Sequence, residues 1–181
     1  MSRFFGDIRQ IAFIVRDIDE AMKYWTTTLG VGPFFIQRNF RFERFVFMGK
    51  ESPSPAISFA AANSGPLQIE LIQPLDKTRS MYLDFLQKNG EGLQHVSSWL
   101  TCADYDLRYA ALVQQGFTIV QEGRLRKGGP RVAYFATDTI PGGTIFEICD
   151  LAEPGTYEAL ENISRAAKGW KGNKPVREEG Q

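Results

Sequence analysis

QIAFIVRDIDEAMKYWTTTLG, residues 10–30, changes its apolar period once, and that change decides how the chain is read. Up to Arg16 the stretch is rich in β-branched and aromatic residues, and residues 7–16 read as a strand. Asp17 then opens a helix, with Glu20 three residues on, the spacing of a capping box. Ile18, Ala21, Met22, Trp25 and Leu29 follow at helical intervals and form one apolar stripe suited to covering a sheet. Gly30 stands where a left-handed C-cap is expected. A strand followed by a helix that packs on a sheet is the seed of an α+β fold.

The segments after it are short strands. GPFFIQRNFRF and ERFVFMG are aromatic-rich, AISFAAA (56–62) follows the turn-prone ESPSP, and LQIELIQP (67–74) closes the set. SMYLDFLQKNG (80–90) reads as a connecting helix. The second half then repeats the first. LQHVSSWL (93–100) is a strand, and Thr101 with Asp104 caps a helix over 102–115 that stops at Gly116. FTIVQEGRLR, RVAYFATD and GTIFEICD (143–150) give three more strands. Setting Gln10 against His95 pairs Met22-Lys23-Tyr24 with Leu107-Arg108-Tyr109, and setting Glu70 against Glu147 pairs IEL with FEI. An internal repeat of this kind outranks local assignments. The expectation is a βαβββ module over 7–76, a helical linker over 77–91, a second βαβββ module over 92–151, and a C-terminal helix with a polar tail over 152–181. The helix is read from a stripe of Tyr157, Leu160, Ile163 and Ala167. KGNKPVREEGQ is expected to fray.

Composition narrows the function classes. In 181 residues, 21 Lys+Arg balance 21 Asp+Glu, so no basic field favours nucleic acid or an anionic membrane. The apolar runs, such as PLQIELIQPL, fall well short of the roughly 20 residues of a membrane span. No signal-peptide pattern opens the chain. Two cysteines, Cys102 and Cys149, form no CxxC, and a reducing cytoplasm is the expected location. A single histidine excludes HExxH and three-histidine zinc sites within one chain. Neither GxGxxG, nor a P-loop, nor a GxSxG elbow is present.

Four residues stand out once the halves are aligned: Gln10 and His95 in the first strand of each half, Glu70 and Glu147 in the last. Glutamate and glutamine supply hard oxygen donors and histidine one nitrogen, a set suited to Zn, Ni, Co, Mn or Fe in the divalent state. Strand alternation sends Ile69, Leu71, Phe146 and Ile148 to the opposite face, into the core. A carboxylate flanked by such residues is costly without a partner. Singly, each of the four reads as an ordinary strand residue; at repeat-related positions they read as one site.

QIAFIVRDIDEAMKYWTTTLGVGPF, QIELIQP, GLQHVSSW and GTIFEICD together resemble the vicinal oxygen chelate superfamily (glyoxalase, bleomycin resistance, dioxygenase), over about residues 7–151, and within it the methylmalonyl-CoA epimerase and glyoxalase I branch. The resemblance implies an eight-stranded curled cup around a divalent metal with Gln10, Glu70, His95 and Glu147 as ligands, a homodimer, and a small-molecule substrate such as a hemithioacetal, an acyl-CoA or another carbonyl compound. It implies an isomerase or lyase that removes a proton beside a carbonyl, and the symmetry of the repeat puts Glu147 forward as the base and Glu70 as the second catalytic carboxylate. The Gln-Glu-His-Glu set is similar to that of eukaryotic-type glyoxalase I. Epimerases more often carry His and Gln at the first two positions, whereas GVGPF looks epimerase-like. Two alternatives stay open, a non-catalytic bleomycin-resistance-type binding protein and an Fe(II) extradiol dioxygenase, the latter weakened by Gln10 in place of a histidine. The phenylalanines at 34, 35, 40, 42, 45 and 47 are candidates for a pocket lining or for sheet packing. Arg124, Arg126, Lys127 and Arg131 are candidates for an anion contact or for a solvated turn.

Overall fold

The computed structural model describes residues 2–140, 143–151 and 154–178. The first half contains β1 (Gln10–Ile14), α1 (Ile18–Thr27), β2 (Phe34–Phe40), β3 (Arg44–Phe47), β4 (Lys50–Glu51), β5 (Ile57–Ser64) and β6 (Leu67–Pro74). After α2 (Met81–Asn89) come β7 (Gly92–Leu100), α3 (Cys102–Gln114), β8 (Ile119–Arg124), β9 (Arg131–Phe135) and β10 (Ile145–Asp150), then α4 (Pro154–Ala167) and β11 (Val176–Glu178). The helix starts follow their caps. Asp17 accepts from the amides of Asp19 and Glu20, Ser80 from Leu83, and Thr101 from Asp104. Gly30, Gly90 and Gly116, just past the ends of α1, α2 and α3, all have positive φ, where a side chain would be strained.

All strands join one sheet in the order β11-β2-β5-β6-β1-β7-β10-β9-β8-β3-β4. The halves share an internal order, β2-β5-β6-β1 and β8-β9-β10-β7, and meet through the antiparallel pair β1 and β7. The eight strands of the implied cup are there, and ERFVFMG (β3), read as a strand from sequence, joins the sheet with the additional β4 and β11. ERFVFMG does not stay with its own half: β3 pairs with β8 and covers what would otherwise be an open edge. Only three residues separate β2 from β3, a reach of at most about 14 Å from Phe40 to Arg44. Strands near opposite ends of the sheet are therefore held close together, and the sheet must curl into a cup. Gly123 permits the join. A Cβ there would lie 2.6 Å from the Phe42 ring.

Apolar residues divide between the cup and its two outer faces. Ile69 and Leu71 pack with Ile18 and Met22 beneath α1, while Phe146 and Ile148 pack with Tyr105 and Leu112 beneath α3. Inside the cup lie Ala12, Phe42, Phe45, Ile72, Tyr82 and Tyr134. Two stripe residues fall outside the packing. Leu29 lies beyond the end of α1 and Tyr157 on the outer side of α4, and both are about half exposed. The tail also departs from expectation. Residues 176–178 add a parallel strand to β2, and the Phe34 amide donates to the Pro175 carbonyl. Trp170 lies against Gly32, where a Cβ would meet its ring at 2.8 Å, and Glu178 pairs with Arg38. These contacts anchor a polar segment whose composition alone promises none. The final residues, 179–181, lie outside the described part.

Candidate metal centre and its cavity

Ladder register brings the four residues of the sequence reading onto one face. In β1 and β6, Gln10 lies beside Gln68 and Ala12 beside Glu70; in β7 and β10, His95 lies beside Ile145 and Ser97 beside Glu147. In each half the last-strand glutamate is thus two positions beyond the partner of the first-strand residue, as the repeat alignment requires. The central pair places Ala12 opposite His95 and Gln10 opposite Ser97. Two adjacent rows result, Glu70–Ala12–His95 and Gln10–Ser97–Glu147. Ala12, fully buried, carries no bulk between the carboxylate and the imidazole.

His95 is fully buried, and its Nε2 lies 3.7 Å from one oxygen of Glu70 and 3.7 Å from one oxygen of Glu147. That nitrogen has no hydrogen-bond partner. The reason lies on the other side of the ring. The ladder between β1 and β7 skips Gln94, a bulge that re-aims this side chain. Gln94 donates its amide N–H to the Met81 carbonyl at 2.8 Å, so its oxygen is left to accept from His95 Nδ1 at 2.9 Å. Nδ1 therefore carries the proton, and Nε2 presents a lone pair toward the two carboxylates. Fixing a histidine ligand through its second nitrogen is a common device of metal sites. Burial also pushes the imidazole down to about 3, so it is neutral near pH 7.

The carboxyl groups shift the other way. Burial first, and then the charge of Glu147, push Glu70 well above the carboxylate range. Burial raises Glu147 to about 7, opposed by the nearby Ser97 and Tyr134 hydroxyls. Ser97 Oγ makes no hydrogen bond of good geometry, yet it is buried next to Glu147 in the ladder and favours the ionised form from there. Tyr134 sets its ring edge-on to His95 at 5.2 Å and shares a 3.0 Å hydroxyl–hydroxyl hydrogen bond with Tyr82. Burial keeps both phenols protonated.

Gln10 is close by but differently engaged, since its Nε2 donates to Gln68 Oε1 at 2.7 Å. Among the described residues no group of three or more His, Cys, Asp or Glu side chains is assembled as a metal site. The fit to a metal is one of chemistry. A buried nitrogen lone pair lacks a partner, two carboxylates face it, and an amide stands beside them. Ligand atoms about 2.1 Å from a shared zinc lie roughly 3–4 Å apart, and 3.7 Å falls within that span. Gln68, Gln94, Ser97, Tyr82 and Tyr134 escaped the sequence reading. The row of Gln68 could have been found from the strand period, two residues before Glu70; the role of Gln94 depends on a bulge that leaves no mark in sequence.

A cavity of about 280 Å³ opens over Gln10, Glu70 and Glu147. Of the six early phenylalanines, Phe40 and Phe42 line it; Phe34 packs under α1, Phe45 and Phe47 belong to the cup core, and Phe35 lies under the Arg177 guanidinium. The basic turn is largely consumed by structure. Arg131 pairs with Asp150 and Asp106, Arg124 donates to the Gly129 carbonyl, and Arg126 reaches Thr156 at the start of α4.

Paired β-α-β-β-β halves around a concave polar site define a glyoxalase-like cup. Residues 9–135 match the model of the Glyoxalase/Bleomycin resistance protein/Dioxygenase superfamily, and the chain belongs to that superfamily. Solved structures share the fold at low identity. A selenomethionine methylmalonyl-CoA epimerase is 22% identical with a TM-score of 0.54, over 84% of this chain and 100% of that one. The methylmalonyl-CoA epimerase from Mycobacterium tuberculosis is 20% identical with a TM-score of 0.57, over 87% and 95%. A methylmalonyl-CoA epimerase in complex with methylmalonyl-CoA and NH4+ is 19% identical with a TM-score of 0.55, over 83% and 99%. Comparison with curated proteins finds no match. No helix among the described residues is long and apolar enough to cross a membrane.

Proposed function

We propose that this chain is a metal-dependent isomerase or lyase that removes a proton from a carbon beside a carbonyl, in the manner of the glyoxalase I and methylmalonyl-CoA epimerase branch. The observation that carries the reading is the unpartnered, buried Nε2 of His95 facing the buried carboxyl of Glu147 and the partly buried carboxyl of Glu70, each at 3.7 Å, at the edge of a cavity. Gln10, Glu70, His95 and Glu147 would hold a divalent cation, and the chemistry supplied there is polarisation of the substrate carbonyl. Glu147 is the proposed base. Its position near neutrality, raised to about 7 in the metal-free fold, matches what general-base transfer requires. Glu70, in the other half of the cup, takes or returns the proton on the second side. Tyr134 remains a neutral donor next to Glu147, suited to stabilising negative charge on the substrate oxygen. Gln94 holds the imidazole in the tautomer this arrangement needs.

The test is solvent-deuterium exchange into candidate carbonyl compounds by the metal-loaded protein. Exchange is expected, and Glu147→Gln should lower it by about 10²-fold or more while metal stays bound. Full turnover in Glu147→Gln contradicts the base assignment. One observation favours a second reading, a bleomycin-resistance-type binding protein: Gln10 is spent on Gln68, and no metal group is assembled among the described residues. That protein would bind ligand with no metal and exchange no proton.

A further inference from the structure

The cavity is chemically lopsided. Gln10, Glu70 and Glu147 line it together with a wall that is mostly ring and hydrocarbon, including Phe40, Phe42, Phe59 and Trp99. The helix α4 contributes Leu160 and Ile163 to the same space. Its 280 Å³ corresponds to about nine waters at roughly 30 Å³ each, at or below the small end of ligand pockets. Among the described lining residues Arg126 is the one cationic side chain, and it is already engaged with Thr156. Among the described lining residues nothing else answers the several phosphate charges of a nucleotide-bearing thioester.

We infer that the ligand of this site is a compact aromatic or alicyclic carbonyl compound, not a coenzyme A thioester, with its oxygens toward Glu70 and Glu147 and its ring against Phe40, Phe42 and Phe59. The inference rests on the proton-abstraction reading only for the direction in which the carbonyl points. The ring side follows from the wall itself. Face-to-edge contacts already order that wall, with Phe40 5.1 Å from Phe42 and 5.4 Å from Phe59 at steep interplanar angles, and a flat ring fits such an arrangement. Ala159 is exposed at the cavity edge, so bulk added there obstructs entry without entering the core.

The experiment uses Trp99 as reporter. The full-length protein, metal-free and zinc-loaded, is titrated with 2-hydroxyacetophenone and with propionyl-CoA while tryptophan fluorescence is followed. A saturable change with the aromatic ketone is expected, at concentrations at least about tenfold below any response to the thioester. Trp99→Phe should remove the signal. Ala159→Phe should weaken ketone binding by about tenfold or more, and Glu158→Phe, on the same helix but outside the cavity, should not. Tighter binding of propionyl-CoA, no ketone binding, or indifference to Ala159→Phe overturns the inference. Deuterium exchange at the carbon beside the carbonyl, measured on the same samples, keeps the two claims apart. Ketone binding without exchange in either metal state sustains the ligand class and overturns proton abstraction. Exchange into propionyl-CoA alone overturns the ligand class and sustains proton abstraction.

Discussion

Removing the charge of Glu147 should stabilise the metal-free protein, and the gain should depend on pH in one direction. The folded environment raises this carboxyl from an ordinary 4.5 to about 7, chiefly by burial. A carboxyl raised on folding binds more protons in the native than in the unfolded state between those values, so its contribution to stability falls as pH rises from about 4.5 to about 7. A full proton of difference between the two states costs about 1.4 kcal/mol for every pH unit crossed, and the whole window amounts to about 3 kcal/mol. His95 acts oppositely. Lowered to about 3, it binds fewer protons when folded and adds stability as pH rises toward 6.5. Wild type and Glu147→Gln both contain His95, and the difference between them largely cancels it. Urea unfolding of both proteins, in chelator, at intervals from about pH 4.5 to about pH 8, should show wild type losing about 3 kcal/mol relative to the variant. Saturating zinc should shrink that loss, because a cation favours the ionised carboxylate. A difference that stays constant across the range, or one that grows in favour of wild type, refutes the account of this site as a buried, cation-seeking carboxyl pair.

Other outcomes follow from single contacts. Gln94→Leu leaves His95 Nδ1 without its acceptor, and zinc affinity by competitive chelation should fall about 10–100-fold with the far-ultraviolet spectrum unchanged. Gly123→Ala drives a methyl into the Phe42 ring, 2.6 Å from the position a Cβ would occupy; an overpacking cost of about 1–3 kcal/mol should appear as a lower thermal midpoint. Trp170→Ala removes the ring that covers Gly32, and faster hydrogen exchange of the Phe34 amide should report that β11 has loosened from β2.

How much of the fold and site is legible in the sequence depends on how local each cause is. Asp17, Ser80 and Thr101 cap their helices from within the same few residues, and the starts of α1 and α3 can be read directly. The four polar positions need the repeat, because a two-residue offset along the ladder is shared by both halves and survives low identity. Where sequence reading fails, the cause is a distant partner. ERFVFMG has the composition of any aromatic strand, and nothing in it says that it will pair with β8 across the mouth of the cup. Val176–Glu178 is polar and short, and becomes a strand because β2 has an open edge. Gln94 gains its role from a skipped residue in a ladder, and Gln10 loses some of its freedom to Gln68, which also faces the cup.

The claim that the rest depends on is that His95 and the two glutamates hold a divalent cation. It is tested most directly by loading the full-length protein with zinc, removing excess by desalting, and measuring metal per chain beside His95→Ala. Stoichiometric zinc in wild type with most of it lost in the variant is the expected result. A wild-type protein that retains none, or a His95→Ala variant that retains as much, contradicts the claim and leaves the cavity as a ligand-binding site alone.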